Sequence, residues 1–404
     1  MIAALIALTF LAGQSDFDAK FVAGLKALNN LDLPAAQAGL EAAAKLQPSN
    51  PRVWVALAQT YLREGKTALA SDAAVKAERF GPNDLVVLHL LATFYSEENK
   101  FARAGDIEAL CAANDKQDSA APARAMSDYL QGDQPKKAIA IGLATADWQQ
   151  RADIRNLLGK AYEADGQILK TIPELQEAIR LKPDEDAYYF DLVQVLVAHY
   201  NFPTAIQIGE AAQKRFPSSA RIALLTGVAY YGQSQPDAAV DAFLRSTTLD
   251  PSDERAYLFL SKLMDQAADK LPAIAERFVD FQEKNPQSYL GYFLHAKVDP
   301  GQAESLLKKS VSLNGDYWES HYDLGIQLAK RGALADAEKE FRRAVELNPK
   351  DPAIHYRLFR VLAGLGKTRE ADAELAVQRH VAAERDQELR NTAGAVKRFE
   401  IAPK

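Results

Sequence analysis

Cysteine is almost absent from this sequence, and neither sign of charge is in large excess. Cys111 is the only cysteine among 404 residues, so no disulfide can form within the chain. Lysine and arginine number 48 and aspartate and glutamate 54, and no long run of one sign occurs. Nucleic-acid binding would need a basic stripe, so we expect no nucleic-acid partner. The composition, 48% hydrophobic and 25% charged, is ordinary for a soluble globular protein.

Long apolar runs are also missing, with one short exception at the N-terminus. Residues 2–12 are almost wholly apolar, but as a helix they would span about 16 Å against a hydrocarbon core of roughly 30 Å. Small residues follow at Gly13 and Ser15, the positions that a signal peptidase reads. We therefore predict that residues 1–15 are a secretory signal and that the mature chain, without a membrane span, is periplasmic or extracellular. The alternative is an apolar capping helix on a cytoplasmic protein.

Catalytic and cofactor motifs are lacking as well. Two Gly-Lys-Thr triplets begin at Gly65 and Gly366, but a phosphate-binding loop needs another glycine five residues earlier, where Thr60 and Val361 stand. The six histidines do not form a zinc-protease motif, and neither a serine nucleophile elbow nor a dinucleotide-binding glycine pattern occurs. We expect no catalytic residue, no metal ligand, no cofactor and no enzymatic activity.

What the sequence does contain is one pattern that recurs at a fixed period along the chain. A first small-residue slot holds Ala36, Ala70, Ala104, Ala138, Thr171, Ala205, Ala239, Ala303, Ala337 and Ala371. A second, seven residues later, holds Ala43, Ala77, Cys111, Thr145, Ala178, Ala212, Ser246, Ser310 and Ala344. Proline often closes the unit, at Pro48, Pro82, Pro183, Pro217, Pro251 and Pro349. A period of roughly 34 residues means that one supersecondary unit is copied along the chain, and it predicts that Cys111 is a buried packing residue.

Each unit is predicted to be a pair of antiparallel helices. Residues 152–164 place Leu158, Ala161 and Tyr162 on one helical stripe. Gly166 and its equivalents Gly65, Gly332 and Gly366 then occupy a turn that favours a left-handed residue. Proline opens several second helices, where its missing N–H is not needed, at Pro34, Pro135, Pro203, Pro236 and Pro300. A glycine or alanine twelve residues before the first small slot lets the helices approach, at Gly24, Ala58, Ala92, Gly159, Gly227, Gly291 and Gly325.

The pattern resembles the tetratricopeptide repeat family. Three units carry it best, through Trp54, Leu57, Ala58, Tyr61, Ala70, Ala77 and Pro82, through Leu158, Gly159, Tyr162, Gly166, Leu175, Ala178 and Pro183, and through Leu324, Gly325, Gly332, Ala337, Phe341, Ala344 and Pro349. The resemblance implies an all-α solenoid, a right-handed superhelix of about eleven repeats over residues 16–383. Because one pair cannot bury its own apolar stripe, stacked neighbours share a continuous core.

The array departs from its ideal in two places and ends in a charged tail. Residues 112–150 are degenerate, with Lys116 where proline is expected. Residues 270–315 are degenerate too, because Ala239 and Ala303 stand closer together than two full periods, and the unit at 287–315 is predicted to have a shortened first helix. Residues 384–404 mix basic and acidic residues and are predicted to form a capping helix or tail.

The resemblance implies a function in binding protein or peptide partners on the concave face of the array. That face would be lined by Gln59, Asn156, Lys160, Phe190, Gln194, Tyr231, Tyr292, Tyr322, Tyr356 and Arg360, with aromatic residues and arginine as strong contact types. His321 and His355, one period apart in the slot of Trp54, are expected to pack between helices. Several face residues could instead pack between units. The chain is thus expected to be a non-enzymatic scaffold; the alternatives are a self-associating assembly or polymer-export element, and a groove for glycans or small ligands.

Overall fold

The structure is a computed structural model that describes residues 15–400, with side chains as far as residue 388. Every regular element in that range is a helix, and consecutive helices pack as antiparallel pairs, which confirms the predicted fold class. The predicted signal at residues 1–15 lies, apart from Ser15, outside the described residues. None of the described helices is both long and apolar enough to cross a bilayer.

The chain divides into two compact units, residues 1–195 and 196–404. The helices of the first are α1 (Asp16–Asn29), α2 (Leu33–Leu46), α3 (Pro51–Arg63), α4 (Thr67–Phe80), α5 (Leu85–Glu97), α6 (Phe101–Asn114), α7 (Ala121–Gln131), α8 (Pro135–Ala144), α9 (Ala152–Ala164), α10 (Ile168–Leu181) and most of α11 (Asp186–Ala198). Those of the second are α12 (Phe202–Arg215), α13 (Ala220–Gly232), α14 (Pro236–Leu249), α15 (Glu254–Leu263), α16 (Leu271–Lys284), α17 (Tyr289–Val298), α18 (Ala303–Leu313), α19 (Trp318–Lys330), α20 (Leu334–Leu347), α21 (Pro352–Gly364) and α22 (Thr368–Glu400).

Proline sets both ends of the second helices largely as predicted. Pro34, Pro135, Pro203 and Pro236 stand at the first or second position of α2, α8, α12 and α14. Pro300 does not, because α18 begins three residues later at Ala303 and leaves Pro300 in the preceding turn. Each closing proline lies two residues beyond the end of its helix, as with Leu181 before Pro183. The residue before a proline is disfavoured in helical geometry, so these helices end where that restriction applies.

The turn inside nine of the pairs has one left-handed residue at a fixed place, and the turns after α15 and α17 have none. The predicted glycines have it, at Gly65, Gly166, Gly332 and Gly366, and so do five other residues, at Leu31, Asn99, Asp133, Tyr200 and Ser234. At the first glycine turn, the Gly65 N–H bonds the Leu62 carbonyl at 3.0 Å and the Lys66 N–H bonds the Tyr61 carbonyl at 2.8 Å. This pair of bonds is the Schellman arrangement, which satisfies two carbonyls at a helix end.

The small slots allow close helix contact. A Cβ on Gly159 would stand 2.6 Å from the Leu175 side chain, and one on Gly325 would stand 2.9 Å from Phe341. In the first small slot Ala36, Ala70, Ala104 and Ala138 are fully buried, and Cys111 in the second slot is fully buried as well, which confirms its packing role. A larger side chain at these positions would overpack the contact between two helices.

The two degenerate regions have shortened helices. In the first region α7 and α8 have 11 and 10 residues, and a single 3-10 turn, Trp148–Gln150, follows α8. A surface cavity of about 640 Å³, lined in part by Ala112, Ile141 and Ala144, lies beside the C-terminal end of α8. In the second region α17 and α18 have 10 and 11 residues, which confirms the shortened first helix predicted at 287–315.

Two helices differ from what the repeat pattern leads one to expect. The last helix, α22, continues through the predicted tail as one element of 33 residues. Pro173 lies inside α10, at its sixth residue. A proline there removes one helical hydrogen bond and its ring crowds the carbonyl four residues earlier, so α10 carries an internal defect.

Candidate functional site

One position of the first helices fixes the preceding loop. If positions are counted from the first residue of each first helix, Trp54 is position 4 of α3, and its indole N–H donates to the Pro48 carbonyl at 2.7 Å. Tyr257 donates in the same way to Pro251 at 3.2 Å. His321 contacts the Gly315 carbonyl at 3.1 Å and His355 the Pro349 carbonyl at 2.8 Å. In these four helices position 4 therefore anchors the loop six residues earlier.

Tyr292, which is predicted to line the binding face, stands at this anchoring position. It is the fourth residue of α17 and its hydroxyl donates to the Pro286 carbonyl at 3.2 Å. The register counted back from Ala303 assumes a first helix of full length. Because α17 is three residues shorter than α19, Gly291 falls at position 3, and the small residue at position 8 is Ala296.

The other predicted residues stand at positions 5, 9 and 12, which lie on one stripe of a helix. In the first unit, Asn156 of α9 donates through Nδ2 to Asp191 Oδ2 of α11 at 2.7 Å, and Lys160 Nζ lies 3.6 Å from the same oxygen. The structure thus brings Asn156 and Lys160 together through Asp191, and Phe190 and Gln194 stand on the same helix as that aspartate. Asn156 and Asp191 are buried and bond each other, while the Asn156 Oδ1 atom has no hydrogen-bond partner among the described residues.

Gln59 is placed apart from this group, on α3. Its side chain is buried, and its Oε1 atom has no hydrogen-bond partner among the described residues. Gln59 therefore packs between helices rather than offering an accessible contact.

The second unit presents a more open version of the stripe, which we name the aromatic–cation face: Tyr231, Lys262, Lys297, Tyr322, Tyr356 and Arg360. Tyr231 and Tyr356 are exposed. The Tyr231 ring meets Phe259 of α15 edge-on at 5.7 Å, and Arg360 donates to the Tyr356 hydroxyl at 3.4 Å. Four residues of this face are exposed, and the sequence analysis predicts three of them, Tyr231, Tyr356 and Arg360. It misses Lys262, because a lysine at an exposed helical position carries no periodic signal.

Only some of the cations on the aromatic–cation face form ion pairs with carboxylates. Lys297 forms an ion pair with Asp323 at 2.9 Å. Burial raises the pKa of Glu319, and the nearby Lys262 and Lys297 only partly offset that rise. One Glu319 carboxylate oxygen is buried without a hydrogen-bond partner in the described part of the chain. Lys262 and Arg360 form no ion pair in the described part of the chain, so the face has a cationic bias.

A cluster of side chains in the first unit contains residue types that bind metal ions, together with an arginine that pairs with its carboxylates. Ligand atoms of His89, Glu108 and Cys111 lie within 4.8 Å of one another. Arg124 bonds Glu108 at 3.0 Å and Asp118 at 2.6 Å. Burial raises the pKa of Cys111 to about 12, which favours the protonated thiol. The Arg124 guanidinium supplies a cation to the two carboxylates within the fold.

Comparison with known proteins agrees with the geometry of the repeats. A family model described as tetratricopeptide repeat matches residues 21–84, 190–254 and 298–352, and a second model of the same description matches residues 328–391, together more than half of the chain. No curated protein matches the sequence.

Solved structures similar to this chain share low identity with it and have TM-scores below 0.5. Yeast Tom70 is 15% identical, over 95% of this chain and 96% of that chain, with a TM-score of 0.42. A tetratricopeptide repeat protein from Parabacteroides merdae is 15% identical, over 61% and 98%, with a TM-score of 0.43. The C-terminal part of a repeat protein from Cytophaga hutchinsonii is 16% identical, over 66% and 98%, with a TM-score of 0.43. By its family-model matches, the chain belongs to the tetratricopeptide repeat family.

Proposed function

We propose that this protein is a non-enzymatic scaffold whose second unit binds an extended partner segment on the aromatic–cation face. The observation that carries the proposal is the pairing of exposed aromatic rings with cations that have no carboxylate partner among the described residues. Lys262 and Arg360 are exposed and form no ion pair there. Aromatic residues and arginine are the side chains that contribute most to protein interfaces.

The partner that fits this face is a segment with acidic residues next to apolar or aromatic ones. Carboxylates would pair with Lys262 and Arg360, while apolar side chains would cover the rings of Tyr231 and Tyr356. An arginine binds a carboxylate through two parallel hydrogen bonds, which gives direction as well as affinity. The first unit is less suited to this task, because Asn156 and Asp191 already bond each other.

Fluorescence anisotropy with labelled peptides of matched length tests the proposal. We expect acidic–aromatic peptides to bind, basic ones not to bind, and affinity to fall as salt rises. The double variant Lys262→Ala/Arg360→Ala should weaken binding at least tenfold. A matched control, Lys308→Ala/Lys339→Ala, removes two cations from the second helices α18 and α20 and should bind as the wild type does. Equal binding by both double variants, or by basic peptides, would refute the assignment.

We further propose that the protein acts after export, with residues 1–15 removed. The support is the apolar run at 2–12 followed by Gly13 and Ser15. N-terminal sequencing of the protein isolated from its host is the direct test, since a retained Met1 would place this segment in the mature chain. Light scattering of the same material without peptide tests the alternative of self-association, which predicts a discrete oligomer that does not change with concentration.

A further inference from the structure

Three first helices of the second unit carry an aromatic ring with a cation three or four residues later: Phe259 with Lys262, Phe293 with Lys297, and Tyr356 with Arg360. The Lys262 ammonium lies 5.9 Å from the centre of the Phe259 ring on α15, and the Lys297 ammonium lies 4.7 Å from the centre of the Phe293 ring on α17. Helix α19, which lies between α17 and α21 in the chain, contributes an acidic residue instead, Asp323. The cations of the aromatic–cation face therefore stand on α15, α17 and α21.

These first helices are neighbours in the order in which they occur along the chain. The backbones of α15 and α17 approach each other closely, and so do those of α19 and α21. Lys297 of α17 pairs with Asp323 of α19 at 2.9 Å, which joins the two halves of the series. Lys262 and Arg360 both stand at position 9 of their helices, so they are separated by three steps from one first helix to the next.

The part of the face between Lys262 and Arg360 is less favourable for a partner carboxylate, because it contains acidic residues of its own. The charge of Lys297 is already paired with Asp323. One carboxylate oxygen of Glu319, on the same helix as Asp323, is buried without a hydrogen-bond partner among the described residues. A partner carboxylate over α17 and α19 would therefore lie close to like charges, which is unfavourable. The two ends of the series are the places where a carboxylate meets an unpaired cation.

The packing distance between helices sets the distance between these two ends. Helices that pack side by side lie about 8–10 Å apart, so three steps span about 24–30 Å. An extended chain advances about 3.3 Å per residue and covers that distance in about seven to nine residues. An acidic residue at each end of such a stretch would reach Lys262 and Arg360 at the same time.

We propose that the partner segment carries two acidic residues about seven to nine positions apart, with uncharged residues, apolar or aromatic ones among them, in between. This inference rests on the proposed function, because it takes an extended segment to lie on the aromatic–cation face. One acidic residue pairs with Lys262 and the other with Arg360, while the residues between them cover α17 and α19. A single ion pair at an exposed site is weak, so recognition depends on making both contacts at once.

Fluorescence anisotropy with two peptides of equal length and composition tests the proposal. One carries two glutamates about eight positions apart, and the other carries them about three positions apart. The second peptide reaches only one of the two cations at a time, and a linker too short to span two sites gains nothing from the second site. We expect the eight-position peptide to bind at least about tenfold more tightly. This advantage should disappear in Lys262→Ala and in Arg360→Ala, and should persist in the control Lys308→Ala/Lys339→Ala.

The variant Asp323→Asn tests the same argument through a gain of binding. It removes the carboxylate that pairs with Lys297 and keeps the size of the side chain. Lys262 and an unpaired Lys297 then stand one helix apart, about 8–10 Å, a distance that about three extended residues cover. We expect this variant to bind the three-position peptide at least about threefold more tightly than the wild type does. A gain of this kind cannot result from a loss of folding.

The outcomes separate this inference from the function on which it rests. If neither peptide binds, the proposed function fails and the inference fails with it. If both peptides bind the wild type equally well, the face binds acidic segments without selecting their spacing, and only the inference is overturned. Tighter binding of the three-position peptide to the wild type overturns it too, as does an unchanged affinity for that peptide in Asp323→Asn.

Discussion

Replacing Leu31 by glycine should stabilise the first repeat. Leu31 has a φ of 61° at the turn between α1 and α2, and 68% of its surface is exposed. A left-handed conformation costs a residue with a Cβ roughly 1–2 kcal/mol. Glycine avoids that cost but loses about 0.5–1 kcal/mol through the greater freedom of the unfolded chain. We therefore expect Leu31→Gly to raise the free energy of unfolding by about 0.5–1 kcal/mol.

The other turns supply matched controls. Asparagine tolerates this conformation far better than leucine does, so Asn99→Gly, at a φ of 57°, should change stability by less than about 0.5 kcal/mol. Gly166→Ala tests the reverse direction. A Cβ on Gly166 would meet no atom within 4 Å, so its cost comes from the backbone alone. We expect that variant to lose about 1 kcal/mol.

Urea unfolding followed by circular dichroism measures the three changes, and hydrogen exchange localises them. The Asp32 N–H, which bonds the Ala27 carbonyl at 2.9 Å in this turn, should exchange more slowly in Leu31→Gly. In a repeat array a local gain acts mainly on its own repeat and its neighbours, so amides of the second unit should not change. A loss of stability in Leu31→Gly, or an equal gain in Asn99→Gly, would contradict the argument from backbone strain.

Three further changes test other parts of the molecule. Pro173→Ala should restore a hydrogen bond inside α10 and stabilise by about 1–3 kcal/mol, measured as a higher urea midpoint. Burial raises the pKa of Asp128 to about 6, so the protonated form that favours the fold is lost as pH rises through 6. Asp128→Asn should therefore raise the free energy of unfolding by about 1–2 kcal/mol at pH 8 and by almost nothing near pH 4. Arg124→Ala should cost about 2–3 kcal/mol because Glu108 is left buried without its cation, whereas Lys284→Ala, at an exposed pair with Asp280, should cost under about 0.5 kcal/mol in the same measurement.

Much of the fold could be predicted because each repeat slot selects residues for one physical property. Ala70 is needed because two helices are in contact there, and Pro183 indicates that the helix before it has ended. The sequence predicts left-handed turns only where glycine occupies them. Leu31 and Tyr200 take the same conformation because the paired hydrogen bonds at the helix end impose it, whatever the side chain.

The site was harder to predict than the fold. Counting from Ala303 does not reveal that Tyr292 is the fourth residue of its helix and anchors the preceding loop, because a spacing rule contains no information on where a helix is shortened. Asp191 could not be found either. It gains its importance from Asn156 of a neighbouring helix, and a contact of that kind has no fixed spacing in the sequence. Repeat periodicity reports what all units share, whereas binding depends on what distinguishes them.

Different positions of a first helix make different kinds of contact, so residues that would bind a partner can change while the contacts that hold the fold together are kept. Position 4 anchors the loop through Trp54, Tyr257 or a histidine, and the small residue at position 8 fixes the helix contact. Lys262 and Arg360, at position 9, make neither kind of contact. Substitution there should alter binding with little effect on stability, since surface changes away from packed contacts usually shift the free energy of unfolding by less than about 0.5 kcal/mol. In the first unit, by contrast, Asn156 lies on the corresponding stripe but bonds Asp191 in the interior, so that stripe has become part of the structural framework.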